Sequence, residues 1–78
     1  MTLIMLDPGH GGNDPGATNG SYQEKKFNLD IALKVHDYLK RNYDVKVEMT
    51  RTSDATVSLA ARTNQANKVK ADYYCSIH

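Results

Sequence analysis

The hydrophobic positions fall into groups of different period. Thr2-Leu3-Ile4-Met5-Leu6 is a short apolar run closed by Asp7-Pro8-Gly9, the pattern of a strand covered on both faces in the middle of a parallel sheet. Residues 7–20 then hold all five glycines and both prolines and repeat Asp-Pro-Gly at 7–9 and 14–16. That composition predicts a turn-rich loop of closely specified shape. From Glu24 to Arg41 the apolar residues Phe27, Ile31, Val35 and Tyr38 or Leu39 recur at helical spacing, with Lys25, Lys26, Lys34, Asp37 and Lys40 largely off that stripe, so a helix is expected there. Val45, Val47 and Met49 alternate with Lys46 and Glu48, the period of a strand with one wet face that ends near Thr50.

Leu59, Arg62 or Thr63, Ala66 and Val69 share a face at helical spacing, Ser58 is placed to cap the first turn, and the helix is expected to stop near Lys70. Tyr73 to Ile77 is a last apolar and aromatic run. The order strand, helix, strand, helix, strand predicts an α/β fold: a mostly parallel sheet with crossover helices. Placing the most apolar strand centrally gives the order second, first, third. A ligand site is then expected beyond the carboxyl ends of the strands, where the order reverses.

Composition narrows the function classes. Seventy-eight residues make one small domain at most, and a chain of this size buries only about 60% of its unfolded surface. Forty per cent apolar and 24% charged residues are too hydrophobic for a disordered segment, and no apolar run is long enough for a membrane span. Ten basic residues against nine acidic give a net charge of +1 without a cluster of either sign, so no nucleic-acid or anionic-lipid partner is indicated. A single cysteine, Cys75, excludes an internal disulfide, and no basic-then-apolar leader precedes the first strand, so the compartment is not read from these features.

Three chemistry-bearing residues fall on the predicted site edge: His10 after the first strand, Glu24 at the start of the first helix, and His78 at the end of the third strand. Two imidazoles and a carboxylate form a catalytic zinc set that leaves a fourth position open for water. Other readings stand beside that one. Ser21-Tyr22-Gln23-Glu24 fits a capping box, and on pattern alone capping is the favoured role for Glu24. His10 also suits a turn residue bonded to backbone, and His78 an exposed end residue. His36 lies inside the helix among charged residues and is set aside. Cys75 points to the opposite strand face from His78 and is expected to be a small core residue. Gly9, Gly11, Gly12 and Gly16 match neither the dinucleotide fingerprint nor a Walker loop, which argues against a nucleotide.

Leu6-Asp7-Pro8-Gly9-His10-Gly11-Gly12 followed by Asp14-Pro15-Gly16-Ala17 resembles the opening motif of the bacterial zinc-dependent N-acetylmuramoyl-L-alanine amidases. Glu24-Lys25, Asn28-Leu29, Ile31-Ala32, Thr50-Arg51 with Asp54, Ser58-Leu59, Arg62, Ala66-Asn67, Ala71-Asp72 and Ser76-Ile77-His78 follow in the same order. The resemblance covers the whole chain. It implies that His10, Glu24 and His78 are zinc ligands, with capping a secondary role for Glu24. Arg51, Asp54, Arg62 and Asn67 also stand at family positions and are expected to be architectural. Asp7 and Asp14 suit turns, or would orient a ligating histidine.

The same resemblance implies a domain about twice this length with a six-stranded sheet, of which residues 1–78 form the N-terminal part of the catalytic domain. Its catalytic glutamate is expected beyond residue 78, so no general base is assigned within the chain, and the chain alone is expected to be inactive. The implied reaction is zinc-dependent hydrolysis of the amide between N-acetylmuramic acid and L-alanine in peptidoglycan, as in autolysins and endolysins. The implied setting is the extracellular cell wall, with a muropeptide substrate and a monomeric protein. The alternative is a non-catalytic peptidoglycan-binding module of the same fold.

Overall fold

The computed structural model describes residues 1–78. A three-stranded parallel sheet forms from β1 (Leu3–Pro8), β4 (Lys46–Met49) and β5 (Tyr73–Ile77) in the order β4-β1-β5. Ile4 pairs with Val47 and Leu6 with Met49 on one side, and Leu6 with Cys75 and Pro8 with Ile77 on the other. The most apolar strand is central, as its unbroken run predicts, and Met5 and Leu6 are each only 1% exposed. β1 runs two residues beyond the predicted end because β5 still pairs with Asp7 and Pro8 after β4 has ended at Met49. Proline is tolerated at a point where its strand has a neighbour on one side only.

The glycine-rich segment contains a small hairpin that the hydrophobic pattern does not reveal. β2 (Thr18–Asn19) pairs antiparallel with β3 (Tyr22–Gln23) around Gly20 and Ser21. Helix α1 (Glu24–Asn42) follows without a break and packs against all three strands of the sheet. The capping box is absent: Ser21 lies in the hairpin loop, and the N-cap is Gln23, whose side chain makes no capping bond. Two free N–H groups of the first turn instead donate to loop carbonyls, Glu24 N to Ala17 O at 2.9 Å and Lys25 N to Pro15 O at 3.1 Å, meeting the same need by other means.

The buried line of α1 also differs from the predicted stripe. It follows Lys25, Asn28 and Ala32, whereas Phe27, Ile31 and Tyr38 are exposed. The physical reason is that Lys25 and Asn28 reach loop carbonyls at the site, so polar residues occupy the inward face. Phe27 packs on Tyr22 of the hairpin, with ring centroids 4.8 Å apart.

Helix α2 (Leu59–Lys68) begins as predicted, with Ser58 Oγ accepting from Ala61 N at 3.0 Å. Its buried residue is Arg62, while Leu59 is exposed. Cys75, expected in the core, is exposed on the edge strand β5. No helix is long and apolar enough to cross a membrane.

Candidate metal centre

The carboxyl ends of β1 and β5 and the start of α1 meet at one edge of the sheet. Gly9 N donates to Ile77 O at 2.9 Å, which continues the strand pairing one step past β1 and sets Gly9 against His78. A Cβ on Gly9 would lie 2.5 Å from His78 Nδ1 and Cε1, so the close approach of backbone to imidazole requires glycine. The chain then turns at His10, whose φ of 62° costs a non-glycine residue about 1–3 kcal/mol. Two buried guanidinium groups hold it there: Arg51 Nε and Arg62 Nη2 each donate to His10 O at 2.8 Å. Charge-assisted bonds of this kind are the stronger class.

The ligand atoms of His10, Glu24 and His78 all lie within 4.8 Å of one another. His10 Nε2 is 3.3 Å from Glu24 Oε1, and the two imidazoles meet edge to face with centroids 5.4 Å apart. Glu24 is oriented by Ala17 N, which donates to Oε1 at 3.1 Å, and by a longer contact from Asn28 Nδ2 to Oε2 at 3.5 Å. The Ala17 amide, with a smaller contribution from Asn28, holds the Glu24 carboxyl below its ordinary pKa, so it is ionised at neutral pH. Gly16, at φ 68°, leaves the space in which these side chains meet. A Cβ there would sit 2.7 Å from His10 Cδ2 and 2.8 Å from Glu24 Oε1.

Around this cluster the loop is fixed by charge. Lys25 Nζ donates to Gly12 O and to Asp54 Oδ2, both at 2.9 Å, while Asp54 Oδ1 accepts from Gly12 N at 2.8 Å. Asp7 is the hub of a buried network, accepting from Thr50 Oγ1 at 2.8 Å, from Arg62 Nη1 at 2.6 Å, from Ser76 Oγ at 3.2 Å and from the Tyr74 hydroxyl. Burial raises the Asp7 pKa, but the bonds from Tyr74, Arg62 and Thr50 together hold it below the ordinary value. The same setting, burial first and the bond to Asp7 second, pushes the Tyr74 phenol up to about 12. A cavity of about 280 Å³ opens beside His10 and His78, with the Thr56–Leu59 segment and Arg62 as its other wall.

The sequence profile of the N-acetylmuramoyl-L-alanine amidase family matches residues 4–78. This chain belongs to that family. It is 51% identical over 79 aligned positions to the N-acetylmuramoyl-L-alanine amidase CwlM of Bacillus licheniformis, an alignment that spans 100% of this chain and 31% of that amidase. It is 43% identical over 76 positions to the endolysin of Bacillus phage SPP1, spanning 97% of this chain and 28% of the endolysin. Among solved structures, the catalytic domain of the amidase CwlV from Bacillus (Paenibacillus) polymyxa var. colistinus superposes with a TM-score of 0.94 at 38% identity. That match covers 97% of this chain and 44% of that domain. The chain therefore spans about a third of the length of CwlM and of the sporulation-specific N-acetylmuramoyl-L-alanine amidase of Bacillus subtilis.

The donor set of this member of the amidase family fits the zinc for which the family is known. A tetrahedral ion with bonds of about 2.0–2.1 Å places its donors roughly 3.3 Å apart. The His10 to Glu24 separation of 3.3 Å has that span, and the cluster limit of 4.8 Å calls for a closure of at most about 1.5 Å by side chains at the end of a strand. Of the residues expected to be architectural, Arg51, Asp54 and Arg62 brace the loop, whereas Asn67 is exposed near the end of α2. Asp14, whose sequence role was open, meets the His10 ring: Nδ1 to Oδ2 is 2.8 Å. His36 stays outside the cluster, beside Asp37. Thr50 and Ser76 stand in the family pattern without an assigned role and Tyr74 stands outside it, since nothing in periodicity marks a hydroxyl that bonds a buried carboxylate. Asn28, also within that pattern, carried a further signal in its position four residues after Glu24 on the same helix face.

Proposed function

We propose that the chain is the metal-binding part of a zinc hydrolase that cleaves the amide between N-acetylmuramic acid and L-alanine in peptidoglycan. The observation that carries this reading is the convergence of His10, Glu24 and His78 at one sheet edge in a chain of the amidase family. His10 and His78 would ligate through ring nitrogens and Glu24 through its ionised carboxylate. When bound, zinc polarises a carbonyl and lowers the pKa of a coordinated water to about 7.

The chain's own residues bind and orient. Arg51 and Arg62 fix the backbone that presents His10, and Ala17 and Asn28 aim Glu24. The cavity between the two histidines and the Thr56–Leu59 wall gives a substrate room beside the cluster. On the family resemblance, proton relay to the leaving amine falls to a glutamate outside these 78 residues. These residues alone are then expected to bind metal without hydrolysing the amide. The setting is the cell wall outside the membrane, and the working form a monomer.

The test uses the intact protein and purified peptidoglycan. Digestion is expected to release new L-alanine amino termini, to stop on chelation and to return with zinc, and His10→Ala is expected to abolish it. Cleavage that survives chelation or His10→Ala contradicts the reading. Zinc uptake and wall binding without cleavage would instead favour a non-catalytic peptidoglycan-binding module.

A further inference from the structure

Asp14 sits on the flank of His10 away from Glu24, and its two oxygens have separate partners. Oδ2 is 2.8 Å from His10 Nδ1, and Oδ1 accepts from Gly16 N at 3.1 Å. The loop that carries it is closed on itself, because Gly11 N donates to Asp14 O at 2.7 Å and Asp14 N to Gly11 O at 3.0 Å. Two backbone bonds therefore fix the Asp14 main chain, and two further bonds fix its carboxylate beside the ring.

A neutral imidazole carries one proton, and an ionised carboxylate only accepts. The short contact at Nδ1 therefore requires the proton to be on Nδ1, with the N–H donating to Asp14 Oδ2. That leaves the Nε2 lone pair free, on the side of the ring that faces Glu24 Oε1 at 3.3 Å. Histidine in water favours the opposite arrangement, with the proton on Nε2, and a proton there blocks ligation. Taking the proposed zinc reading as its basis, we propose that Asp14 is a positioning residue that sets His10 in the Nδ1–H tautomer and so keeps Nε2 open for the metal.

The two bonds made by Asp14 can be separated by choice of substitution. Asp14→Ser keeps a short oxygen able to accept from Gly16 N but cannot reach His10. Asp14→Asn has one accepting oxygen for two donors. Its amide either gives up the Gly16 turn or turns its NH2 toward Nδ1, which then has to accept and pass its proton to Nε2.

The experiment measures two quantities on the intact protein, at a pH where the ¹⁵N shifts themselves report a singly protonated ring. One is the tautomer of His10 in zinc-free protein, from ¹⁵N chemical shifts assigned through His10→Gln. The other is zinc affinity by competition with a chromogenic chelator. Wild type is expected to show Nδ1–H. Asp14→Ser is expected to shift His10 toward Nε2–H and to bind zinc about 10–100-fold more weakly, with an unchanged far-ultraviolet circular dichroism spectrum. Asp14→Asn is expected to be intermediate in affinity, and it carries the test if the serine variant does not fold.

A purely structural role for Asp14 in the turn predicts that Asp14→Ser leaves both readouts at wild-type values, and that result overturns the proposal. So does wild-type His10 carrying its proton on Nε2. Wild-type protein that takes up no zinc overturns the metal reading and this proposal together, whereas equal zinc binding by wild type and Asp14→Ser overturns only the proposal.

Discussion

Replacing Arg62 by methionine tests whether the loop bearing His10 is held by a buried charge network. Arg62 Nη1 lies 2.6 Å from Asp7 Oδ1, and both side chains are 5% exposed. The guanidinium also donates to Val57 O at 3.1 Å, Pro8 O at 2.6 Å and His10 O at 2.8 Å. Methionine fills a similar volume but leaves the Asp7 carboxylate without its cation. Removing one partner of a buried pair costs about 3–5 kcal/mol.

Several acceptors keep other donors, since Arg51 Nε still reaches Pro8 O and His10 O, and Thr50 still reaches Asp7 Oδ1. The lower end, about 3 kcal/mol, is therefore expected, a loss of roughly 100-fold in the folding equilibrium constant. Urea unfolding followed by circular dichroism at neutral pH should give this loss with an unchanged slope. Asp7→Asn combined with Arg62→Met should cost less than the sum of the single changes, by about 0.5–3 kcal/mol, because the stranded charge is gone. A single-variant cost below about 1 kcal/mol, or strict additivity, would refute the network as the brace of this loop.

Gly16→Ala is expected to weaken zinc binding by about tenfold or more, since its Cβ would lie 2.7–2.9 Å from atoms of His10 and Glu24 at a φ of 68°; an unchanged affinity in chelator competition would count against the site geometry. The phenol of Tyr74 is expected to titrate at about 12, read as the absorbance difference between wild type and Tyr74→Phe, and a difference titrating near 10 would contradict its bond to Asp7. Because that folded value is raised, the stability it contributes is full below about pH 10 and is lost as the pH climbs to about 12. Asp7 and Asp54 have folded values below the ordinary one, Asp54 chiefly through Lys25 and the Gly12 amide. Their contribution is present above about pH 4 and lost as the pH falls through the lowered values, so an acid titration of stability that stays flat to about pH 2 would contradict both.

The parallel sheet and its strand order were legible because β1 carries an unbroken apolar run and β4 alternates, and the sheet places them at centre and edge accordingly. Helix faces were less legible. A hydrophobic stripe through Phe27 and Ile31 reports periodicity, but the inward face of α1 is Lys25, Asn28 and Ala32, where polar groups meet carbonyls that no pattern of hydropathy displays. Glu24 gave the converse error: the serine three residues before it suggested a cap, yet that serine turns a hairpin and the carboxylate faces His10. The spacing of His10, Glu24 and His78 alone left their convergence undecided, because it depends on β1 and β5 being neighbours and on α1 starting beside them. The family resemblance made it an expectation, and the geometry brings the three together.

Whether His10, Glu24 and His78 hold one zinc ion is decided by diffraction from zinc-loaded intact protein, measured on both sides of the zinc absorption edge. A single anomalous peak is expected within about 2.0–2.2 Å of a ring nitrogen of His10, a ring nitrogen of His78 and a carboxylate oxygen of Glu24. A peak elsewhere, or none at this sheet edge in protein shown to contain stoichiometric zinc, would contradict it.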